Sequence, residues 1–180
     1  MDCLDLLTTR RSTKNLSAPA PDELQLDTIL QAATQVPDHG DLTPYRFVVI
    51  NQERMENFHQ LLKNSAASAN LGEDALKKAD KVGTMAPMVI TVIASPKAGQ
   101  PEWEQHMTAG CAAYAIQLAA KAQGFDNVWI SSVWVDLPSV REAFACAQQE
   151  KIVAFIMIGT ANNHLDEAKN TEIEPFVSYF

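Results

Sequence analysis

Glu102–Gly124 (EWEQHMTAGCAAYAIQLAAKAQG) is the stretch from which the fold can be worked out. Proline is missing from it, alanine crowds it from Ala109 to Ala122, and Gly124 stands where a left-handed cap ends a helix. One long helix is therefore expected, and small residues on several of its faces let neighbours approach on more than one side. Such a helix belongs at the centre of a domain or across a subunit interface. Working outward, Pro87–Ser95 and Lys151–Gly159 read as strands of the fully buried kind, with Tyr45–Ile50 and Asn127–Val133 as two more. Helices are expected over Asp2–Thr9, over Asp22–Val36 with Asp22 as N-cap, and over Pro138–Cys146, where proline starts the first turn. Residues 52–81 read as a polar-rich helical excursion, weakly patterned around Asn70-Leu71-Gly72. Four strands separated by helices predict an α+β fold, a mixed sheet flanked by helices, in one domain over residues 1–180.

The composition limits the chemistry. Hydrophobic residues make up 47% and charged residues 20% of 180, enough apolar material for a core. Lys+Arg 14 against Asp+Glu 22 gives a net charge of −8, so a nucleic acid is not an expected partner. No two of the seven glycines lie closer than eleven positions, which excludes the glycine-rich loops that cradle phosphates. The apolar runs Met88–Ala94 and Ile152–Ile158 are too short to span a bilayer, and the N-terminus carries no signal-like run, so a cytoplasmic protein without membrane attachment is expected. Cys3, Cys111 and Cys146 are odd in number and widely spaced; they read as reduced, mostly buried thiols. The four histidines offer no ligand spacing, so no metal is expected.

Three places can carry function. Arg10-Arg11-Ser12-Thr13-Lys14 packs two guanidiniums, an ammonium and two hydroxyls into five residues. That suits a phosphate, but it equally suits a helix end whose basic residues answer the dipole. In the proline-bounded loop 37–44, His39 can pair with Asp38 or Asp41 for acid–base work, or stand as a plain surface residue. Trp129-Ile130-Ser131, near a strand end, can face a ligand or leave Trp129 in the core. The ending Pro175-Phe176-Val177-Ser178-Tyr179-Phe180 is largely apolar and is expected to pack on something, a second copy of the chain included.

In order, these pieces resemble the nitroreductase family of FMN-dependent NAD(P)H oxidoreductases. The match is carried by Arg10-Arg11-Ser12-x-Lys14, by Pro37 and Pro44 before the Phe47–Ile50 run, and by Trp103-Glu104-Gln105-x-Met107-x-Ala109-Gly110-Cys111-Ala112. It continues through Ala119-Ala120-x-Ala122-Gln123-Gly124-Phe125 and Trp129-x-Ser131, and covers nearly the whole chain. The Pro37-Asp38-His39 loop and the Pro-Phe-Val-x-Tyr-Phe ending look closest to the short YdjA-type branch.

The resemblance implies an intertwined homodimer with FMN at the subunit interface, reduced by NAD(P)H. A ping-pong cycle would pass hydride through flavin N5 to an electron-poor small molecule such as a nitroaromatic or quinone, with no catalytic side chain needed. It implies a mostly antiparallel sheet and FMN contacts from Arg10, Arg11 and Ser12 (phosphate and ribityl), Lys14 (pyrimidine side), Trp129, Ile130 and Ser131, with Gln35 and His39 reaching the flavin of the partner subunit. It places NAD(P)H against Ala119, Ala120, Lys121, Ala122, Gln123 and Gly124. Gln35 and Ile130 stand where the branch can carry a base, and after Gly159 only Lys169 and His164 remain to complete a phosphate site, so FMN binding is expected to lean on Arg10 and Arg11. The alternatives are a flavin-binding protein without turnover, or a flavoenzyme of this fold with another task, such as dehalogenation or flavin breakdown.

Overall fold

The computed structural model describes residues 2–162 and 171–180. The elements run α1 (Cys3–Thr9), β1 (Leu16–Ser17), α2 (Glu23–Ala33), β2 (Tyr45–Ile50), α3 (Met55–Ser68), α4 (Glu73–Gly83), β3 (Met88–Ala94), α5 (Glu102–Ala122), β4 (Asp126–Ile130), α6 (Pro138–Ala143) and β5 (Lys151–Ala161). Helices and an antiparallel sheet combine as the α+β expectation had it. Two details differ. Among the described residues every strand pairing is antiparallel, so the sheet is not mixed, and the two-residue β1 makes a fifth strand. A pair of residues is too short to leave a periodic signal.

β5 is the centre of the sheet. It pairs with β3 along one side, and along the other first with β4 and then, at Thr160 and Ala161, with β1; β2 completes the order beyond β3. All seven residues of β3 are buried, because helices cover both faces of the sheet. On one face Val89, Ile93, Phe155 and Met157 pack with Phe58 and Leu62 of α3 and with Trp134. On the other, Ile90, Val92, Ile156 and Ile158 meet Ile29 of α2 and the alanines of α5. Val92 pairs with Ala154 and Ile93 with Ile152, which leaves Val153 as an extra residue that bends β5.

Several ends move relative to expectation. Asp22 does cap α2, in a reciprocal capping box with Gln25, but the helix stops at Ala33, short of Val36. The excursion 52–81 is two helices, α3 and α4, broken at Asn70 and Gly72, both with positive φ. β4 ends at Ile130 and not Val133, since Ser132 takes a φ of +37° and the chain turns into a short 3-10 turn at Val133–Asp136. Likewise α6 ends at Ala143, with Ala145 at positive φ, before reaching Cys146. α5 keeps its length, and Gly124 follows it with a φ of +90°. Among the described residues no helix is long and apolar enough to cross a membrane.

Candidate functional site

α5 organises the site. Its buried positions, Gln105, Thr108, Ala109, Ala112, Ala113, Ile116, Gln117 and Ala120, follow the three-and-four spacing of one helical face set against the sheet. The opposite face carries Trp103, Met107, Cys111 and Tyr114, at the same spacing, and leaves them exposed. Close packing was expected on several sides of this helix; within one chain it meets the sheet and α2, and the remaining face presents large apolar side chains to the outside.

Three segments are tied to this helix by specific bonds. The buried pair Gln117 and Asn127 exchange hydrogen bonds, Gln117 Nε2 donating to Asn127 Oδ1 and Asn127 Nδ2 to the Gln117 carbonyl, both at 2.9 Å. This fixes the start of β4 against α5. The Thr13 N–H then donates to the Asn127 carbonyl at 3.0 Å, which locks residues 10–14 beside the same strand. The Pro37 loop is held by Thr108, whose hydroxyl donates to the Pro37 carbonyl at 3.1 Å.

The basic segment begins at the C-terminal end of α1, where its charges face the helix dipole as well as the neighbouring strand. α1 stops at Thr9 without a basic residue in its last turn, and Arg10 is its C-cap. Arg10 lays its guanidinium 5.9 Å from the centre of the Tyr114 ring and donates from Nη2 to Ser12 Oγ at 3.3 Å. Among the described residues no carboxylate pairs with Arg10, Arg11 or Lys14, although the chain has an acidic excess. Lys169 and His164 lie outside the described residues.

Tyr114 also lines a hollow of about 630 Å³, together with Gln35, Pro37, Met107, Cys111 and Trp129. Its size is that of a small-molecule site. Gln35 and Trp129 are thus brought together, with Arg10 and Ser12 at the Tyr114 edge. Ile130 is the next residue of the strand and packs into the core on the other side of the sheet, so only its backbone is available on the Trp129 side. Ser131 is exposed at the strand's end, where Lys78 reaches across to the neighbouring Ser132 hydroxyl at 2.7 Å. Residues 119–124 lie at and beyond the end of α5: Ala120 is buried, Lys121 pairs with Asp126 at 2.7 Å, and Gln123 Nε2 donates to the Gln25 carbonyl at 3.0 Å.

His39 sits over an adjoining hollow of about 320 Å³ that shares Pro37, Met107 and Cys111 with the first. Its carboxylate partner is not Asp38 or Asp41. Asp38 is bound to the Thr43 N–H at 2.6 Å, and the Asp41 backbone takes a positive φ within the loop; His39 Nδ1 instead meets Glu104 Oε2 of α5 at 2.7 Å. Burial and the nearby Asp38 carboxylate push the Tyr45 phenol up. Glu104, Met107 and Tyr114 had no assigned role in the sequence. The signal that could have found them is the spacing of Trp103, Met107, Cys111 and Tyr114 along one face of α5.

The thiols correct a further expectation: Cys3 and Cys111 are exposed and Cys146 half-buried, so they are not core residues. Among the described residues no group of three or more His, Cys, Asp or Glu could hold a metal ion. Among the described residues the aromatic ending is exposed, Phe176 and Tyr179 at 79% and 96%, with Phe180 fully so.

A sequence model of the Nitroreductase family matches residues 7–160. A Haemophilus influenzae protein bearing the name "Putative NAD(P)H nitroreductase" is 48% identical over 183 residues, covering 99% of this chain and 100% of its own. The Escherichia coli K12 protein of the same name, with the suffix YdjA, is 43% identical over the full length of both. Among solved structures, a nitroreductase-like family protein from Bacillus cereus superposes with a TM-score of 0.83 at 20% identity, covering 100% of this chain and 96% of its own. A Desulfovibrio desulfuricans structure described as a complex with FMN gives 0.78 at 20% identity, covering 98% and 95%. At such identities the superpositions speak for the fold.

Proposed function

The chain belongs to the nitroreductase family, and from that premise we propose that it is an FMN-dependent oxidoreductase that takes electrons from NAD(P)H and reduces an electron-poor small molecule. The observation that carries this is Arg10, whose guanidinium lies 5.9 Å from Tyr114 at the edge of an apolar hollow that Trp129 also lines, and which, like Arg11 and Lys14, pairs with no carboxylate among the described residues. A guanidinium beside an aromatic wall, with two further cations within four residues of it in sequence, offers the donor set for a phosphate and the surface for a flat ring.

When bound, the flavin would supply the redox chemistry, accepting a hydride from the nicotinamide nucleotide and passing it to an acceptor such as a nitroaromatic or a quinone in alternation. The chain's own residues bind and orient. Arg10 and Arg11 hold the phosphate, each with more N–H donors than its neighbours occupy, and the Ser12 hydroxyl adds a further hydrogen bond. Lys14 offers a positive charge to the pyrimidine side. The Gln35 amide, which lines the same hollow as Trp129, would add a hydrogen bond, the His39 ring at the adjoining hollow would make a flavin contact, and Trp129 with the Ile130 and Ser131 backbone would close the strand side. The nucleotide role of Ala119–Gly124 has the least support, because both polar side chains of that stretch, Lys121 and Gln123, are engaged within the chain.

We also place the site in a homodimer. The exposed Trp103 and Met107 on α5 and the exposed aromatic ending are large apolar groups that a second copy would cover. The cofactor assignment is tested by titrating the purified protein with FMN and with riboflavin. FMN is expected to bind more tightly by the contribution of its phosphate; equal binding of the two would remove the phosphate role from Arg10 and Arg11.

A further inference from the structure

The hollow beneath His39 contains a paired imidazole and carboxylate that holding a flavin does not require. His39 Nδ1 lies 2.7 Å from Glu104 Oε2; the Glu104 side chain is 26% exposed and that of His39 is 66% exposed. A carboxylate on Nδ1 accepts a hydrogen bond from the N–H at that nitrogen, fixes the ring, and leaves Nε2 as the atom that exchanges protons. Nε2 has no partner among the described residues. The same hollow is bordered by Trp103 and Met107, 61% and 57% exposed, an apolar surface on which an aromatic ring can lie.

Resting on the oxidoreductase reading above, we propose that His39 donates a proton to the acceptor from Nε2, that Glu104 is its positioning residue, and that the acceptor is a planar aromatic compound whose reduction consumes one proton for each hydride. The balance requires such a donor. A quinone plus one hydride plus one proton gives the hydroquinone; a nitroarene plus one hydride plus one proton gives the nitroso compound and water. The imidazolium loses its Nε2 proton to the acceptor oxygen and regains one from solvent. The other charged groups around it are Asp38 and Asp41 on its own loop, Lys97, and Glu102 with His106 on α5. Asp38 is bound to the Thr43 N–H, Lys97 Nζ donates to the Leu42 carbonyl, and Glu102 stands 3.7 Å from His106, which leaves Glu104 as the carboxylate in contact with His39.

The test loads wild-type, His39→Gln and Glu104→Gln proteins with FMN, reduces each anaerobically with NAD(P)H, and mixes each with a quinone or with ferricyanide, which takes electrons without a proton. In His39→Gln the quinone rate is expected to fall relative to the ferricyanide rate on the order of 10²-fold, and in Glu104→Gln by less, with a displaced pH profile. In the unloaded wild-type protein, long-range proton–nitrogen spectra are expected to show the neutral His39 protonated on Nδ1, and a mixture of tautomers in Glu104→Gln. Equal slowing with both acceptors reduces His39 to a flavin contact and overturns the proposal, as does an unslowed quinone step or an Nε2–H tautomer in the wild type. A wild-type protein that NAD(P)H does not reduce overturns the oxidoreductase reading, and the proposal with it; a normally reduced variant with an unslowed quinone step overturns the proposal alone.

Discussion

Arg10 closes the first helix with its backbone and faces Tyr114 with its side chain, and among the described residues no carboxylate pairs with it. Replacing Arg10 by Ala is therefore expected to spare stability and weaken FMN binding by about 1.5–3 kcal/mol, the scale of a charge-assisted hydrogen bond, read by fluorescence titration. Unchanged affinity would remove it from the phosphate grip. Arg46 is the opposite kind of arginine. Its Nε and Nη2 each bind the Glu150 carboxylate at 2.8 Å, Nη2 also donates to the Phe144 carbonyl at 3.0 Å, and the Ala147 N–H adds a bond to Glu150 at 2.9 Å, joining β2 to the loop before β5. The Arg46 hydrogen bond outweighs burial and pulls the Glu150 carboxyl down from 4.5 to about 2. Because the folded value is the depressed one, its stabilisation is complete above pH 4.5 and is lost as pH falls towards about 2. Glu150→Gln is expected to cost about 2 kcal/mol at neutral pH and to flatten the acid limb of the stability profile, measured by urea unfolding. An equally steep limb in the variant would place the acid-sensitive group elsewhere.

The elements that sequence patterns predicted well are those whose signal lies in their own composition. β3 is apolar at every position but Thr91 because both its faces are covered, and α5 combines alanine density with a glycine cap; each declares itself within its own residues. The ends that moved depend on distant partners or on backbone conformations: β4 stops at the Ser132 turn, and β1 exists because Leu16 and Ser17 meet Ala161 and Thr160 from the far end of the chain. For the same reason the loop carboxylates were natural partners for His39 by proximity in sequence, whereas the fold supplied Glu104 from sixty-five residues away. The β1–β5 join can be tested at Gly159. A Cβ there would come within 2.8 Å of the Ser17 carbonyl and 2.6 Å of Pro87 Cδ, so Gly159→Ala has to displace backbone. A loss of about 1–3 kcal/mol is expected in chemical denaturation; an unperturbed midpoint would mean that β1 is free to move away.

For the whole molecule, what the chain leaves outside matters as much as what it buries. The outward face of α5 exposes Trp103, Met107 and Tyr114 beside the hollows, and the ending exposes further aromatic side chains, while the net charge of −8 leaves few cations to spare for residues 10–14. Sedimentation equilibrium is expected to give twice the chain mass of 19.8 kDa, and a persistent monomer would mean that one chain holds the site unaided. The scattered glycines that excluded a phosphate loop fit this picture, since phosphate holding is assigned to side chains. The central claim is electron transfer through a bound flavin, and anaerobic mixing of the FMN-loaded protein with NADH or NADPH reads it directly. The account predicts that at least one nucleotide bleaches the visible flavin absorbance and that an added nitroaromatic or quinone restores it; a yellow protein that neither nucleotide bleaches would contradict it.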